Sequence, residues 1–284
     1  MTKKKLSIAI PASIISDTPH LREKTSKIGL IARSAAIFRV DEIILYPDNP
    51  KTNQQRDLAF IALLLNYLET PQYLRKALFK LEPDLQYAGI LPPLRTPHHP
   101  LSGKTKHLKV GEYREGLVLS ERKDGLVVDI GVQQPALLRQ KQFAVGERST
   151  LQVVTVGDPV EVQPVNREDL PVYWGYRVRV EKRSFGQFSK DSEFDLKIAT
   201  AKIGATFMAV EGQIGEKWVG SNHVLVGFGA PSRGLHEIVE DEHLKLNELV
   251  DFVINTVPNQ GTATVRAEEA LLASLAILNM HFIY

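Results

Sequence analysis

Two strand-to-loop transitions near the C-terminal end constrain the fold of this chain more than any other feature. The first is His223-Val-Leu-Val-Gly-Phe-Gly-Ala-Pro-Ser-Arg-Gly-Leu-His-Glu237, and the second is Asp251-Phe-Val-Ile-Asn-Thr-Val-Pro-Asn-Gln-Gly-Thr262. Each is a short apolar strand that stops at a loop rich in Gly, Pro and Asn. Open α/β sheets place ligand sites beyond the carboxyl ends of such strands, so both loops are expected to line one pocket. Gly227, Gly229 and Gly234 permit close backbone approach, while Pro231 and Pro258 stiffen the turns. Neither loop has the G-x-G-x-x-G or the G-x-x-x-x-G-K-[ST] spacing, so a nucleoside without phosphates fits better than a nucleotide, and a nicotinamide oxidoreductase is disfavoured.

The chain before these loops alternates between strand and helix signals. Lys3-Lys4-Lys5 followed by Leu6 to Ile15 has the outline of an export signal, but Pro11, Ser13 and Ser16 interrupt it, and a buried first strand is the reading preferred. Residues Thr18 to Val40 are expected to form a helix capped by Asp17 or Thr18. Its polar face carries Arg22, Lys24, Lys27 and Arg33, either a solvated surface or a contact for RNA phosphates. A strand at 42–46 and helices at 54–68 and 72–81 complete an α/β opening. The final helix, 264–280, has Glu268 and Glu269 in its first turn and a broad apolar stripe through Leu271, Leu272, Leu275, Ala276 and Leu278.

Prolines at 92, 93, 97 and 100 mark a boundary. From Val110 to Val165 short strands are expected at 117–120, 126–130, 150–156 and 160–162, with a Lys-Asp-Gly hairpin turn at 123–125. This pattern resembles a small OB or S1-like barrel. Its RNA-binding capacity would rest on Lys104, Lys106, Lys109, Arg114, Arg122, Lys123, Arg139 and Lys141, because few aromatics besides Tyr113 and Phe143 are present. A structural insertion is the alternative. Tyr173, Trp174 and Tyr176 interleave with Arg177 and Arg179; the aromatics read as a buried strand face and the arginines as RNA contacts. His98, His99 and His107 have no carboxylate or thiolate at ligand spacing, so no metal is expected.

Gly-Ala-Pro-Ser-Arg-Gly-Leu (229–235), Asn-Thr-Val-Pro-Asn-Gln-Gly-Thr (255–262) and Thr-Val-Arg-Ala-Glu-Glu-Ala (264–270) together resemble the knotted SPOUT RNA methyltransferases. The archaeal and eukaryotic branch with an OB-like insertion is the nearest match, and Pro-Leu-Arg-Thr-Pro-His-His-Pro (93–100) and Tyr-Trp-Gly-Tyr-Arg-Val-Arg (173–179) agree with it. The resemblance implies a trefoil-knotted α/β sheet with helices on both faces, split into residues 1–90 and 170–284, and an OB-like β-barrel at 91–169. It also implies bound S-adenosyl-L-methionine, a homodimer, and an RNA substrate, with ribosomal RNA and a uridine base as first choices. Carried over by position, Thr200, Ile203, Gly204, Gly229, Asn255, Thr256 and Gly261 are cofactor-binding candidates. Arg22, Arg33, Lys104, Lys106, Lys109, Arg177 and Arg179 are RNA-binding candidates. The loop Thr200-Ala-Lys-Ile-Gly204 departs from the family's usual Thr-Ser-x-Arg-Gly at Ala201 and Ile203, which keeps a competing expectation open: a non-catalytic RNA-binding or ribosome-assembly factor.

Methyl transfer to a ring nitrogen needs positioning and a modest base. Arg33, Arg233, His236 and Glu237 are candidates, Glu237 being equally suited to cap a helix, and none is assigned. The formal net charge of +2 leaves the RNA question to the distribution of charge, and the absence of cysteine excludes disulfides and thiolate chemistry. No stretch approaches the ~20 apolar residues of a membrane helix, so a cytoplasmic location is expected.

Overall fold

The computed structural model describes residues 4–282, so Lys3 of the basic N-terminal run lies outside the described residues. The chain divides into two compact units. The first comprises residues 1–68, 83–93 and 176–284, and the second residues 69–82 and 94–175.

The first unit is a mixed α/β fold on a six-stranded parallel sheet. Its strands are β1 (Lys5–Pro11), β2 (Glu42–Tyr46), β8 (Arg177–Val180), β9 (Leu196–Thr206), β10 (His223–Gly227) and β11 (Phe252–Asn255), in the order β11-β9-β10-β1-β2-β8. The helices are α1 (Leu21–Ile37), α2 (Gln55–Glu69), α4 (Phe185–Phe188), α5 (Phe207–Gly220), α6 (Leu235–Glu240), α7 (Leu246–Leu249) and α8 (Ala267–His281). Alternate residues of a strand point to opposite faces. Ile8 and Ile10 on one face of β1 and Ser7 and Ala9 on the other are all inaccessible, so the sheet is covered on both sides, as a parallel sheet requires. On the Ala9 face, Ile44, Tyr46 and Leu225 pack against Phe185 and Phe188 of α4, Leu235 and Ile238 of α6, and Leu246 of α7. No helix among the described residues is long and apolar enough to cross a membrane.

Several local expectations are corrected. The first strand stops at Pro11, and residues 12–15 form a 3-10 turn whose Ser13 N–H donates to Asp48 Oδ1 at 3.0 Å. Helix α1 has His20 at its N-cap position with no side-chain cap bond; Asp17 instead accepts from Lys27 Nζ at 2.7 Å. Lys27 is not solvated. Its side chain is 4% exposed and also pairs with Glu268 of α8 at 3.2 Å, so burial of this lysine depends on two carboxylates. Tyr173, Trp174 and Tyr176 are buried as expected but precede β8 rather than lying in it.

The second unit holds a closed five-stranded barrel, ordered β3-β4-β5-β7-β6. Its strands are β3 (Tyr113–Arg122), β4 (Gly125–Asp129), β5 (Ala136–Leu138), β6 (Arg148–Thr155) and β7 (Glu161–Pro164). Val118, Val128, Leu138, Leu151 and Val162 fill its interior. Helix α3 (Gln72–Leu78), which the sequence places with the first domain, clusters with this unit.

A buried ionic network organises the second unit. Glu69 receives Arg148 at 2.7 Å and Arg167 at 3.2 Å, and Arg148 also reaches Glu115 at 2.6 Å. Glu115 accepts from Thr150 Oγ1 at 2.8 Å and from Trp174 Nε1. Burial alone would raise the Glu69 pKa, but the hydrogen bond from His98 and the charges of Arg148 and Arg167 hold it well below the usual carboxylate range. The His99 Nε2–H donates to the Glu69 carbonyl at 2.8 Å. Burial, with the nearby His98, lowers the His99 pKa to about 4.

Removing Arg148 leaves two buried carboxylates facing each other. Arg148→Met is therefore expected to destabilise the second unit by about 3–5 kcal/mol, read as urea unfolding of Trp174 fluorescence in a Trp218→Phe background. Both His99 and Glu69 have folded pKa values below their unfolded ones, so each contributes stability that is lost as pH falls. The loss sets in for His99 between pH 6.5 and about 4, and for Glu69 below about 4.5. His99→Gln is expected to flatten the stability profile between pH 6.5 and 4 while leaving the steeper loss below it.

Candidate active site

Strands β11, β9 and β10 are neighbours and parallel, so the chain leaving each of their carboxyl ends meets the other two. Three segments converge there: residues 200–202 within β9, residues 228–234 after β10, and residues 256–266 after β11. Together they wall a cavity of about 370 Å³, within the range of small-molecule sites. Phe228, Pro231, Ile254 and Val265 supply apolar wall, and Lys202, Arg233, Glu237 and Gln260 supply polar groups.

Residues 200–204 were expected to form a loop, and the structure corrects this. They are extended and belong to β9, but they leave its ladder with β11: Ala199 pairs with Val253 and Ala205 with Ile254, so five residues (200 to 204) intervene on one strand and none on the other. Gly204 is required by the return, since a Cβ there would stand 2.7 Å from the Ile254 carbonyl carbon and 2.8 Å from the Val253 oxygen.

Asn255 ties the excursion to the second loop. Its Nδ2 donates to the Lys202 carbonyl at 2.8 Å, and its Oδ1 accepts from the Val257 N–H at 2.9 Å. Thr200 Oγ1 donates to the Gly227 carbonyl at 3.1 Å, and Thr256 Oγ1 bonds the buried Ser274 hydroxyl of α8 at 2.7 Å. Gly229 lets its loop fold tightly, because a Cβ would meet the Gly234 Cα and Leu235 N at 3.0 Å. These bonds preorganise the wall rather than occupy the space within it.

Of the cofactor candidates, Thr200, Gly229, Asn255 and Thr256 line the cavity. Gly261 lies beside the lining residue Gln260 without lining it, and Ile203 and Gly204 line an adjacent pocket of about 330 Å³ together with His236. Among the base candidates, Arg233 and Glu237 line the cavity. Arg33 instead donates to the Pro93 carbonyl at 3.3 Å. Arg233 is held by Asp241 at 2.6 Å, the Glu237 carbonyl at 3.1 Å and the Asp48 carbonyl at 3.5 Å. Glu237 accepts from the Gly234 N–H through Oε2 at 3.1 Å, a helix-capping bond for α6, and its Oε1 has no hydrogen-bond partner among the described residues.

The RNA candidates are dispersed. Arg22 is exposed at the start of α1. Arg177 stands at the amino end of β8, opposite Glu42, and Arg179 is committed to Glu193 at 2.8 Å. Lys104, Lys106 and Lys109 are exposed in the second unit. Of the further barrel bases, Arg114 is buried against Glu112, and Arg139 and Lys141 pair with Glu161 and Glu121. Gln260, Val265 and Ala270 are not among the expected site residues; only the convergence of three segments brings them, with Lys202, to one cavity.

Residues 5–278 match the family model described as "Putative RNA methyltransferase". The chain belongs to this RNA methyltransferase family. An uncharacterized protein of Haloarcula marismortui is 35% identical, over 96% of this chain and 98% of its own length. The 28S rRNA (uridine-N(3))-methyltransferase of Drosophila melanogaster is 32% identical over 96% of this chain and 61% of its own length. The human protein of the same name is 32% identical over 96% of this chain and 77% of its own length. The family assignment makes the chain an enzyme, against the expectation of a non-catalytic assembly factor.

Asn255→Ala removes both bonds that join the excursion to the second loop. Each is worth about 1 kcal/mol net, and more where a partner is left buried, so amide exchange at Val257 is expected to accelerate by roughly 5- to 100-fold with little change in global stability.

Proposed function

We propose that this RNA methyltransferase uses S-adenosyl-L-methionine to methylate a uridine of ribosomal RNA at N3. The observation that carries the reading is the cavity itself, walled by the loops whose residues resemble the knotted methyltransferases, in a chain whose named relatives are rRNA uridine-N3 methyltransferases. The knotted path, the pairing of two copies and the role of the barrel in holding RNA are parts of the same proposal. Ile203, Met208, Leu272 and Met280 expose apolar surface on the first unit that a second copy would cover.

The lining fits such a donor. Its apolar residues suit an adenine ring, its backbone groups suit the ribose and amino-acid polar atoms, and no phosphate cradle is built. Thr200, Gly229, Asn255 and Thr256 would hold it, and the bound sulfonium would supply an electrophilic methyl group. The protein's own contribution is positioning and proton transfer. Glu237 Oε1 is free to take the N3 proton of a uracil placed in the cavity mouth, leaving the ring nitrogen lone pair for the methyl. The Arg233 guanidinium, already fixed by three acceptors, would stabilise the negative charge that develops on the ring.

Transfer of tritium from labelled S-adenosyl-L-methionine to unmodified large-subunit rRNA, with mass-spectrometric identification of the product nucleoside, tests the reading. Glu237→Gln retains the acceptor that caps α6 and removes the base, so turnover is expected to fall about 100-fold with donor affinity unchanged in calorimetry. An unchanged turnover would confine Glu237 to capping, and absence of donor binding by the wild type would overturn the reading.

A further inference from the structure

The parallel sheet sets the ends of β1 and β2 on the same edge as the cavity, one and two strand spacings of about 4.8 Å from β10. The segment joining β2 to α2 is rigidly built. Gln54 Oε1 accepts the Asp48 N–H at 2.8 Å and the Asn49 N–H at 2.9 Å, and Gln54 Nε2 donates to Asp48 Oδ1 at 2.9 Å. Ser13 adds its N–H and hydroxyl to Asp48. Asp48 and Gln54 are buried by this network, while residues 51–53, Gln55 and Arg56 are exposed on top of it.

The same segment adjoins the cavity wall. Arg233 Nη1 donates to the Asp48 carbonyl at 3.5 Å, and the buried Tyr46 hydroxyl donates to the carbonyl of Phe228, another lining residue, at 2.7 Å. Charge on this rim is unspent. Lys51 and Arg56 make no ion pair among the described residues, and neither does Arg22 at the start of α1 on the β1 side. Arg179, Arg183, Lys217 and Arg233, by contrast, are each bound to a carboxylate. The acids nearby are Asp57 in the first turn of α2, Glu23 in that of α1, and Asp17, which Lys27 already neutralises.

We propose that the Asp48–Gln54 segment and the first turn of α2 form a strand-binding rim, with Lys51 and Arg56 as ligands for RNA phosphates flanking the nucleotide in the cavity and Arg22 extending the track. The inference rests on the RNA methyltransferase reading of the cavity. A rim already fixed by Asp48 and Gln54 loses little ordering entropy when a strand docks, which is why the bases stand on this loop and not on a mobile tail. Because the contacts are to phosphate, the rim contributes affinity and register, not base identity.

The test compares three proteins on a fluorescein-labelled 30-nucleotide single-stranded RNA and on S-adenosyl-L-methionine: wild type, Lys51→Ala/Arg56→Ala, and a control, Arg39→Ala/Lys217→Ala. The control removes the same formal charge from the opposite, amino edge of the sheet, Arg39 lying between α1 and the start of β2 and Lys217 in the last turn of α5 before β10. The rim variant is expected to bind the RNA at least 10-fold more weakly, with the slope of log K against log salt reduced by about 1.4 for two lost phosphate contacts. Its cofactor affinity is expected to match wild type, which also reports that it is folded. The control should lie within twofold of wild type in both assays. Equal RNA binding by the rim variant and wild type, or an equal loss in the control, would overturn the rim while leaving the enzymatic reading intact. A wild type that binds S-adenosyl-L-methionine but no RNA would overturn the rim and the RNA substrate together.

Discussion

Parallel pairing of β1 with both β2 and β10 is the constraint on which the first unit depends. A central strand with both faces buried must satisfy every backbone group through its neighbours, and β1 does so along its length, Ala9 meeting Ile44 on one side and Gly227 on the other. Once the three strands run the same way, their carboxyl ends lie on one edge and each connection must cross back over the sheet. The site is a consequence of that geometry. Loops distant in sequence are delivered to one place, and the side chains that finish it, Asn255, Thr200 and Tyr46, mostly bond backbone atoms of a neighbouring loop or strand.

Charge is used in two different ways in this chain. In the second unit Glu69, Glu115, Arg148 and Arg167 are withdrawn from water and balanced against one another, with Trp174 and Thr150 completing the carboxylate's hydrogen bonds. Such a network holds only when complete, because an unmatched buried charge costs several kcal/mol. Lys27 follows the same rule in the first unit, between Asp17 and Glu268. Around the cavity Arg233 is pinned while its neighbours Lys51 and Arg56 stay in solvent. A fixed guanidinium is suited to stabilising charge at a defined point, and solvated bases are suited to attracting a polyanion along a track.

What could be read in advance followed from periodicity and loop chemistry. The strand at 42–46 is a run of apolar residues ended by Pro-Asp-Asn-Pro, and it appears with those bounds. The hairpin at 123–125 and the closed barrel likewise follow short-range turn and alternation signals. Strand β5 was missed because three residues, Ala136–Leu138, are too few to show a period, and only pairing with β4 and β7 makes them a strand. The burial of Lys27 was missed because its partner Glu268 is far away in sequence. The family resemblance implies a loop at residues 200–204, whereas the chain there remains extended and merely leaves register.

By itself the sequence determined the α/β class, the barrel, and the segments after β10 and β11 that wall the cavity, because local propensity, turn residues and ordered motifs are short-range properties. Only the tertiary structure decided which members of those loops share a cavity, that Glu237 keeps one carboxylate oxygen free while Arg233 is immobilised, and which basic residues retain unpaired charge beside it. Those outcomes depend on contacts between strands separated by more than two hundred residues, Lys5 pairing with His223, and on the burial those contacts create, which no local pattern records.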